Sequence, residues 1–306
     1  MTTPPAPRVR VNQIGYPTFA EKIATLVTDA ATAVPWILEH DGTTVARGTT
    51  LPRGTDPSAG LAVHTIDMSA TTAPGTGYTL SADGATSDPF SIGADLCTAL
   101  RVDALSFFYL QRSGTPIDGA VAGASYARAA GHVGLAPNRG DDAVAFLPAG
   151  ALTVDGHDLY DGWTCDGTQA TQPFGTAYVP ADGRYDWGSN GLLLNNLAVL
   201  VAAFDLTGEG RFRQGVLTGM DHLLGRNALG FSYVTGYGTR TAQNQHSRWY
   251  AAQVDPALPH PPAGTVAGGP CSAVPDPVSA PLAGRAPQQC YLDDIGAWGV
   301  NELTIN

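Results

Sequence analysis

Apolar and polar residues alternate along short segments in the first third of the chain. Between residues 22 and 82 the segments "KIATLVT", "VPWILEH", "TTVARGT", "LAVHTIDM" and "GYTLSA" are β-branched or alternating, and Gly, Pro and Asp separate them. Asp41 and Gly42 lie between two of these segments and are typical of a tight hairpin turn. The pattern predicts a β-sandwich over residues 8–93.

Strands at this spacing favour an immunoglobulin-like sandwich, although the Cys…Trp…Cys arrangement of antibody domains is absent. From residue 94 the apolar residues recur at helical spacing instead. "GADLCTALRVDALSFFYLQRSG" predicts a helix that Asp95 caps and Gly114 ends. "WGSNGLLLNNLAVLVAAFDLTGEGRFRQGVLTGMDHLLGRN" predicts two helices joined at "TGEG", with Ser189 as the first cap and Gly225 after the second helix.

Two other stretches have little periodicity. Residues 115–186 are mostly Gly, Pro, Asp and Ala, and residues 251–289 are rich in Pro, Ala and Gly, so the latter are predicted to form a surface loop. The closing "DDIGAWGVNELTIN" is predicted to be a short helix or an extended segment. We therefore predict a second domain over residues 94–306.

Composition and charge narrow the class of ligand. The chain is 43% hydrophobic and 14% charged, and we predict no membrane-spanning segment. Its net charge is −11, with Lys22 as the only lysine, so a nucleic-acid partner is not expected. The first residues, "MTTPPAPRVR", lack the apolar core of a signal peptide, so the sequence as written predicts no export.

The cysteines stand far apart and include no Cys-x-x-Cys pair, which argues against a structural zinc site. One interpretation is that all are small buried thiols. The other is a disulfide, for which Cys271 and Cys290 are the best pair because they flank the Pro/Ala/Gly-rich loop.

The end of the chain concentrates carboxylates among apolar residues. Asp293, Asp294 and Glu302 lie in "YLDDIGAWGVNELTIN", and glycoside hydrolysis requires two carboxyl groups, one of which donates a proton to the leaving oxygen. The alternative is ordinary solvated surface charge.

A second cluster lies in "VTGYGTRTAQNQHSRWY", residues 234–250. Hydrogen-bond donors beside aromatic rings suit a sugar, whose hydroxyls need partners and whose ring face stacks on apolar rings. The alternative is a loop whose polar side chains satisfy backbone carbonyls. The candidate substrate-binding residues are His246, Arg248, Tyr237 and Trp249.

Three segments resemble glycoside hydrolase family 9, the cellulase or endoglucanase type. "VRVNQIGYPTFAEKIATLV" is similar to the start of its N-terminal immunoglobulin-like domain, "LLGRNALGFSYVTGYGTRTAQNQHSR" to its histidine signature, and "YLDDIGAWGVNE" to its final catalytic signature. The resemblance implies secretion, an (α/α)6 barrel and inverting hydrolysis of β-1,4-linked glucan or oligosaccharide. It also implies that Glu302 is the general acid, Asp293 an orienting or sugar-binding carboxylate, and His246 and Arg248 glucan ligands.

The sequence departs from the family in the middle. The Asp-Ala-Gly-Asp motif that deprotonates the attacking water is absent, and we do not assign its role to the aspartates of "DGHDLYDGWTCDGTQA", which are Asp155, Asp158, Asp161 and Asp166. About half of the twelve-helix barrel is missing, so we expect an incomplete barrel with weak hydrolysis. A non-catalytic carbohydrate-binding remnant, or a fragment of such an enzyme, is the alternative.

We predict no cofactor and no metal. Some relatives bind zinc early in the catalytic module, but Ser113 and Gly131 stand at two of the expected cysteine positions and only His132 remains. The resemblance allows calcium, for which no ligands are assigned.

Overall fold

The structure is a computed structural model that describes residues 6–112, 115–130, 174 and 183–303. Its N-terminal part is built from strands that follow each other closely along the chain. In order they are β1 (Val9–Arg10), β2 (Tyr16–Pro17), β3 (Ile23–Val27), β4 (Pro35–His40), β5 (Thr43–Thr49), β6 (Leu51–Asp56), β7 (Leu61–Asp67), β8 (Gly75–Ala82), β9 (Ala85–Thr86) and β10 (Phe90–Gly93).

These strands form two sheets. One has the order β1-β3-β7-β6, and the other has the order β2-β10-β8-β4-β5, with β9 paired to β8. Neighbouring strands are antiparallel except β10 and β2, which are parallel. The predicted β-sheet domain is thereby confirmed, and each segment predicted as a strand contains one.

Two tight turns connect strands through left-handed residues. Asp41 and Gly42 have φ of 51° and 71° and join β4 to β5, as predicted. Asp83 and Gly84 have φ of 48° and 67° and join β8 to β9, a hairpin that the sequence analysis missed. Positive φ at both central residues gives the turn the twist that adjacent strands require.

Alternation places one face of each strand in the core between the sheets. In β4, Trp36 and Leu38 are buried while Ile37 between them is exposed. Because side chains alternate across a strand, this pattern puts one apolar row inside. The core also contains Leu26, Ile66, Tyr78, Leu80 and Phe90.

The helical part begins with α1 (Thr98–Leu110), followed by the single turn α2 (Gly119–Ala122). The helix predicted here exists, but its cap was predicted wrongly. Cys97 occupies the cap position without a side-chain hydrogen bond, and Asp95 contributes only its backbone carbonyl, which accepts from Thr98. The predicted end at Gly114 lies outside the described residues.

The predicted helical hairpin consists of α3 (Ser189–Thr207) and α4 (Gly210–Leu223). Ser189 does not cap α3: Gly188 occupies that position, and the Ser189 hydroxyl donates to the carbonyl of Pro270 at 2.7 Å. Gly208, at φ 69°, ends α3 in the left-handed conformation that favours glycine. Gly225 follows α4, as predicted.

Much of the apolar surface of α1 and α3 is uncovered. Phe108 of α1 is 73% exposed and Leu206 of α3 is 87% exposed. Among the described helices only α3 is long and apolar enough to cross a bilayer by length and composition, which is weak evidence because core helices of soluble proteins pass the same test.

The Pro/Ala/Gly-rich loop is not a surface loop throughout, contrary to the prediction. From Gly264 to Cys271 all residues except Val266 are buried. Composition alone predicted a solvent-exposed loop, but this backbone lies between two other segments and forms hydrogen bonds with both. Thr235 donates to the carbonyl of Thr265 at 2.9 Å, and Gly268 donates to the carbonyl of Glu302 at 2.7 Å.

Gln13, just after β1, joins the sandwich to the glycine-rich turn of the helical part. Its side-chain oxygen accepts from the backbone N–H groups of Thr239 (2.7 Å) and Arg240 (2.9 Å), and its amide nitrogen donates to Gly230 at 3.0 Å. A Cβ on Gly238 would lie 2.7 Å from the same oxygen. The turn therefore needs glycine where Gln13 approaches.

A second contact joins the sandwich to the loop that precedes the closing segment. Gln288 donates its side-chain amide to the Ser58 hydroxyl at 2.6 Å and its backbone N–H to the Ser58 carbonyl at 2.8 Å. Gln289 donates to the carbonyl of Ala59 at 2.6 Å. The sandwich thus holds the chain just before residue 290.

The described cysteines are free thiols. Cys97 is exposed, whereas Cys271 and Cys290 are buried and adjacent, since the N–H of Cys271 donates to the carbonyl of Cys290 at 3.1 Å. The structure contains no disulfide between this pair, and the exposure of Cys97 contradicts the interpretation that every cysteine is buried. Cys165 lies outside the described residues.

Candidate active site

Three stretches of backbone run side by side around the last described residues of the chain. They are the glycine-rich turn with the segment after it, the buried part of the Pro/Ala/Gly-rich loop, and the residues that follow α5 (Trp298–Asn301). The bridges that join them are Val234 with Val266, Ala267 with Leu303, and His246 with Glu302. This small ladder fixes the backbone of the predicted site.

Glu302 lies in the middle of this ladder. Its carbonyl accepts from Gly268 at 2.7 Å, and the next residue, Leu303, donates to the carbonyl of His246 at 3.0 Å. The Glu302 side chain is half-buried, and within residues 6–112, 115–130, 174 and 183–303 its carboxylate accepts no hydrogen bond. The backbone of Glu302 is therefore held by hydrogen bonds to both neighbouring segments.

Asp293 is held by a set of donors. Its carboxylate accepts from the backbone of Gln243 (3.1 Å) and Asn244 (2.9 Å), from the Asn244 amide (3.3 Å), and from the Asn301 amide (3.3 Å). Burial raises the pKa of this carboxyl group, and the donated hydrogen bonds oppose that effect. The carboxylate is oriented by its surroundings.

His246 is attached to the same segment by backbone and ring. Its N–H donates to the carbonyl of Asn301 at 2.8 Å, and its Nδ1 lies 2.6 Å from the carbonyl oxygen of Ile295. A carbonyl only accepts, so Nδ1 carries the proton and Nε2 remains available. The preceding Gln245 donates to the Thr235 hydroxyl at 2.6 Å.

Arg248 and Trp249 project outward from the next turn. Ser247 forms that turn, accepting through its hydroxyl from the N–H groups of Trp249 (3.2 Å) and Tyr250 (3.1 Å). Trp249 is 42% exposed, and Arg248 makes no hydrogen bond to any residue that the structure describes. Both side chains are open to a ligand, whereas Tyr250 is buried against α1.

Tyr237 is not brought into this cluster. Its hydroxyl donates to the carboxylate of Asp103 in α1 at 2.6 Å. Burial, followed by the bond to Asp103, raises the pKa of Tyr237. In this structure it connects the glycine-rich turn to α1.

The sequence analysis missed three amide side chains at the site: Asn244, Asn301 and Gln253. Gln253 closes the segment after Asp293, donating to the Asp294 carboxylate at 3.0 Å and accepting from the N–H of Ile295 at 2.8 Å. All three amides lie within or beside the two motif segments, and that proximity was the only available signal.

Neither the base nor the metal predictions are tested here. Asp155, Asp158, Asp161 and Asp166, as well as Ser113, Gly131 and His132, lie outside the described residues. In the described part of the chain, no three His, Cys, Asp or Glu side chains are grouped so that they could hold a metal ion.

In the described residues a β-sandwich precedes a helical part, and the candidate carboxyl groups of Asp293 and Glu302 lie in the closing segment. The Glycosyl hydrolase family 9 model matches residues 148–306, just over half of the chain, and the cellulase N-terminal Ig-like domain model matches residues 4–87. The chain belongs to glycosyl hydrolase family 9.

Curated relatives include Endoglucanase C of Cellulomonas fimi, 30% identical over 564 residues that cover 98% of this chain and 51% of the relative. Cellulose 1,4-beta-cellobiosidase of Acetivibrio thermocellus is 45% identical over 126 residues, covering 40% of this chain and 14% of the relative. The chain thus spans about half, or less, of these relatives. The longer alignment extends over far more residues than the 306 present, so that relative contains an internal segment lacking here.

Solved structures share the fold. A thermostable endoglucanase from Alicyclobacillus acidocaldarius has a TM-score of 0.75 at 18% identity, covering 97% of this chain and 96% of that chain. A structure described as a complex with cellobiose-like isofagomine has the same values. At this identity the likeness concerns the fold alone.

Proposed function

We propose that the chain derives from an inverting β-1,4-glucan hydrolase and retains the proton-donating half of its active site. The boundaries are residues 8–93 for the immunoglobulin-like sandwich and residues 94–306 for an incomplete (α/α)6 barrel. The helical hairpin and the uncovered faces of α1 and α3 support the second assignment, because a closed ring of helices would cover both faces.

One observation carries the proposal: a backbone bridge places His246 beside Glu302, and Asp293 is tied to the residue that precedes Glu302. In the proposed roles Glu302 protonates the glycosidic oxygen and Asp293 orients a sugar hydroxyl. His246 and Arg248 donate or accept hydrogen bonds along the glucan, while Trp249 offers a ring face. Tyr237, bonded to Asp103, ties the glycine-rich turn to α1 and has no sugar contact in this proposal.

Activation of the attacking water is the step of this chemistry to which no residue is assigned. In an inverting enzyme a second carboxylate deprotonates a water on the opposite sugar face, roughly 6.5 to 9.5 Å from the acid. Asp293 is engaged by donors from three residues. We therefore assign it to orientation rather than to the base.

Binding without turnover is the second candidate function. The absence of Asp-Ala-Gly-Asp favours it, since the sugar contacts of the closing segment do not depend on that motif. The ligand in both cases is a β-1,4-linked glucan or oligosaccharide. The names of the relatives Endoglucanase C and cellulose 1,4-beta-cellobiosidase support this ligand class.

Hydrolysis of carboxymethyl-cellulose tests the proposal. General acid or base assistance is worth roughly 10² to 10⁴-fold, so we expect a rate at least about a hundredfold below that of a complete relative. Glu302→Gln should change this residual rate little, because the base is already absent.

Calorimetric titration with cellotetraose separates the candidates. Binding that weakens in His246→Ala and Arg248→Ala, without turnover, supports the binding function. Brisk hydrolysis that Glu302→Gln abolishes would reveal a base that we have not identified, and Asp155, Asp158, Asp161 and Asp166 would be mutated next. No binding and no hydrolysis would overturn both candidates.

A further inference from the structure

Asn301 is a buried amide at the end of α5, immediately before Glu302. Its side chain is 0% exposed, yet it is polar and fully engaged. The Oδ1 atom accepts from the Tyr291 hydroxyl at 2.7 Å. Burying a polar side chain is costly unless each of its groups is paired, so this residue requires a specific arrangement around it.

The amide nitrogen of Asn301 reaches three acceptors. It donates to the backbone carbonyl of Asn244 at 2.8 Å, to the Asp293 carboxylate at 3.3 Å, and to the backbone carbonyl of Asp294 at 3.3 Å. These acceptors belong to the two segments that contain the motifs. One side chain therefore links both halves of the candidate site.

The backbone of Asn301 makes a further connection, to His246. Its carbonyl accepts from the N–H of His246 at 2.8 Å, in register with the bridge between His246 and Glu302. A shift of Asn301 would thus move the imidazole, the orienting carboxylate and the acid together.

An amide satisfies all of these partners, because it donates to oxygens on one side and accepts from a hydroxyl on the other. An aspartate would place a carboxylate against two carbonyls and the Asp293 carboxylate, whereas an apolar side chain would leave the Tyr291 hydroxyl without its acceptor.

We propose that Asn301 is a positioning residue that holds the Asp293 carboxylate in its orientation relative to Glu302. This proposal rests on the proposed function for the roles of those two carboxylates. The groups that face Asp293 from neighbouring segments are the backbone and amide of Asn244, the backbone of Gln243 and the buried Tyr291 ring.

The test is an NMR titration of the full chain carrying ¹³C-labelled aspartate carboxyl groups. In Asn301→Ala the pKa of Asp293 should move upward, because a donor to its charged form is lost. Tyr291→Phe is the matched control: it removes the hydroxyl that bonds to Oδ1 but leaves the amide donor, so the Asp293 titration should stay as in the wild type.

A purely structural role would lower the unfolding midpoint of both variants without moving this titration, and that result overturns the proposal. If Asn301→Ala does not fold, Asn301→Ser supports the same measurement with a hydroxyl in place of the amide. The titration needs neither binding nor turnover. An inactive chain that also fails to bind cellotetraose would therefore refute the proposed function while leaving the Asn301 result interpretable.

Discussion

Asp221 of α4 is buried where the helical part meets the sandwich. Its carboxylate accepts from the Asn12 amide at 2.9 Å, and the Arg226 guanidinium nearby donates through Nε to the Thr25 hydroxyl at 3.0 Å. Burial raises the pKa of Asp221 from 3.8 to about 7, because desolvation outweighs the attraction of Arg226 and the hydrogen bond from Asn12.

This pKa fixes the sign of a pH effect. In the unfolded chain Asp221 ionises near its ordinary pKa of 3.8, but in the folded protein it stays protonated up to about 7. Its contribution to stability is therefore fully present at low pH and is lost as the pH rises through about 7. Each unit of pKa difference is worth about 1.4 kcal/mol, so the loss is as much as about 4 kcal/mol.

Asp221→Asn keeps an oxygen for the Asn12 amide and cannot ionise. We expect the variant and the wild type to differ by less than about 1 kcal/mol near pH 4.5. Near pH 8.5 the variant should be the more stable by as much as about 4 kcal/mol. His222, whose pKa burial lowers to about 4, titrates in both proteins, so its effect cancels in the difference.

Urea unfolding followed by circular dichroism at several pH values measures this difference. Asp83→Asn is the control with the opposite sign, because hydrogen bonds from Arg8 and Thr28 lower the pKa of the exposed Asp83. Relative to the wild type, that variant should be less stable above the ordinary aspartate pKa of 3.8, and this deficit should shrink as the pH falls below that value. An Asp221→Asn protein whose stability tracks the wild type at every pH would refute the reasoning.

Three further predictions concern helix packing, self-association and the fold of the isolated sandwich. Gly219→Ala would place a Cβ 2.4, 3.0 and 3.2 Å from three side-chain atoms of Leu197, whereas Gly215→Ala would meet one methyl carbon of Leu200 at 2.9 Å and its next atom only at 3.9 Å. Helix propensity gains about 1 kcal/mol at both sites, and overpacking costs about 1–3 kcal/mol at the first. Urea midpoints should therefore fall for Gly219→Ala and hold or rise for Gly215→Ala, and the reverse order would contradict the α3–α4 contact. The uncovered faces of α1 and α3 should make the chain self-associate, as measured by light scattering. The double variant Phe108→Ser with Leu206→Ser should have a lower molar mass in solution. A wild-type chain that is purely monomeric would count against the absence of the barrel's middle helices. Residues 8–93 alone should give a β-type circular-dichroism spectrum, and a helical one would overturn the sandwich assignment.

Local patterns predicted the strands better than the element ends. β4 and β5 alternate clearly and flank Asp41-Gly42, so sequence alone located them. β6 was missed because Pro52 and Gly54 suggest a turn, yet a register shift between them lets the strand pair with β7. Tertiary contact overrode local preference there.

The site was predictable only where side chains carry recognisable chemistry. Glu302, Asp293 and His246 stay predictions as site residues, and the segments that contain them do lie together. Asn301 was missed because its hydrogen-bond partners lie up to 57 positions away in the sequence. No periodicity in the sequence reveals such partners. Ser189 was predicted wrongly as a cap because its hydroxyl bonds instead to Pro270, a partner distant in sequence.

Contacts with the sandwich hold the residues around the candidate site and bear on how the chain tolerates the loss of other residues. Gln13 accepts from Thr239 and Arg240 in the glycine-rich turn, and Gln288 and Gln289, just before the closing segment, donate to Ser58 and Ala59. The sandwich therefore positions both stretches through contacts that involve no residue between 94 and 182.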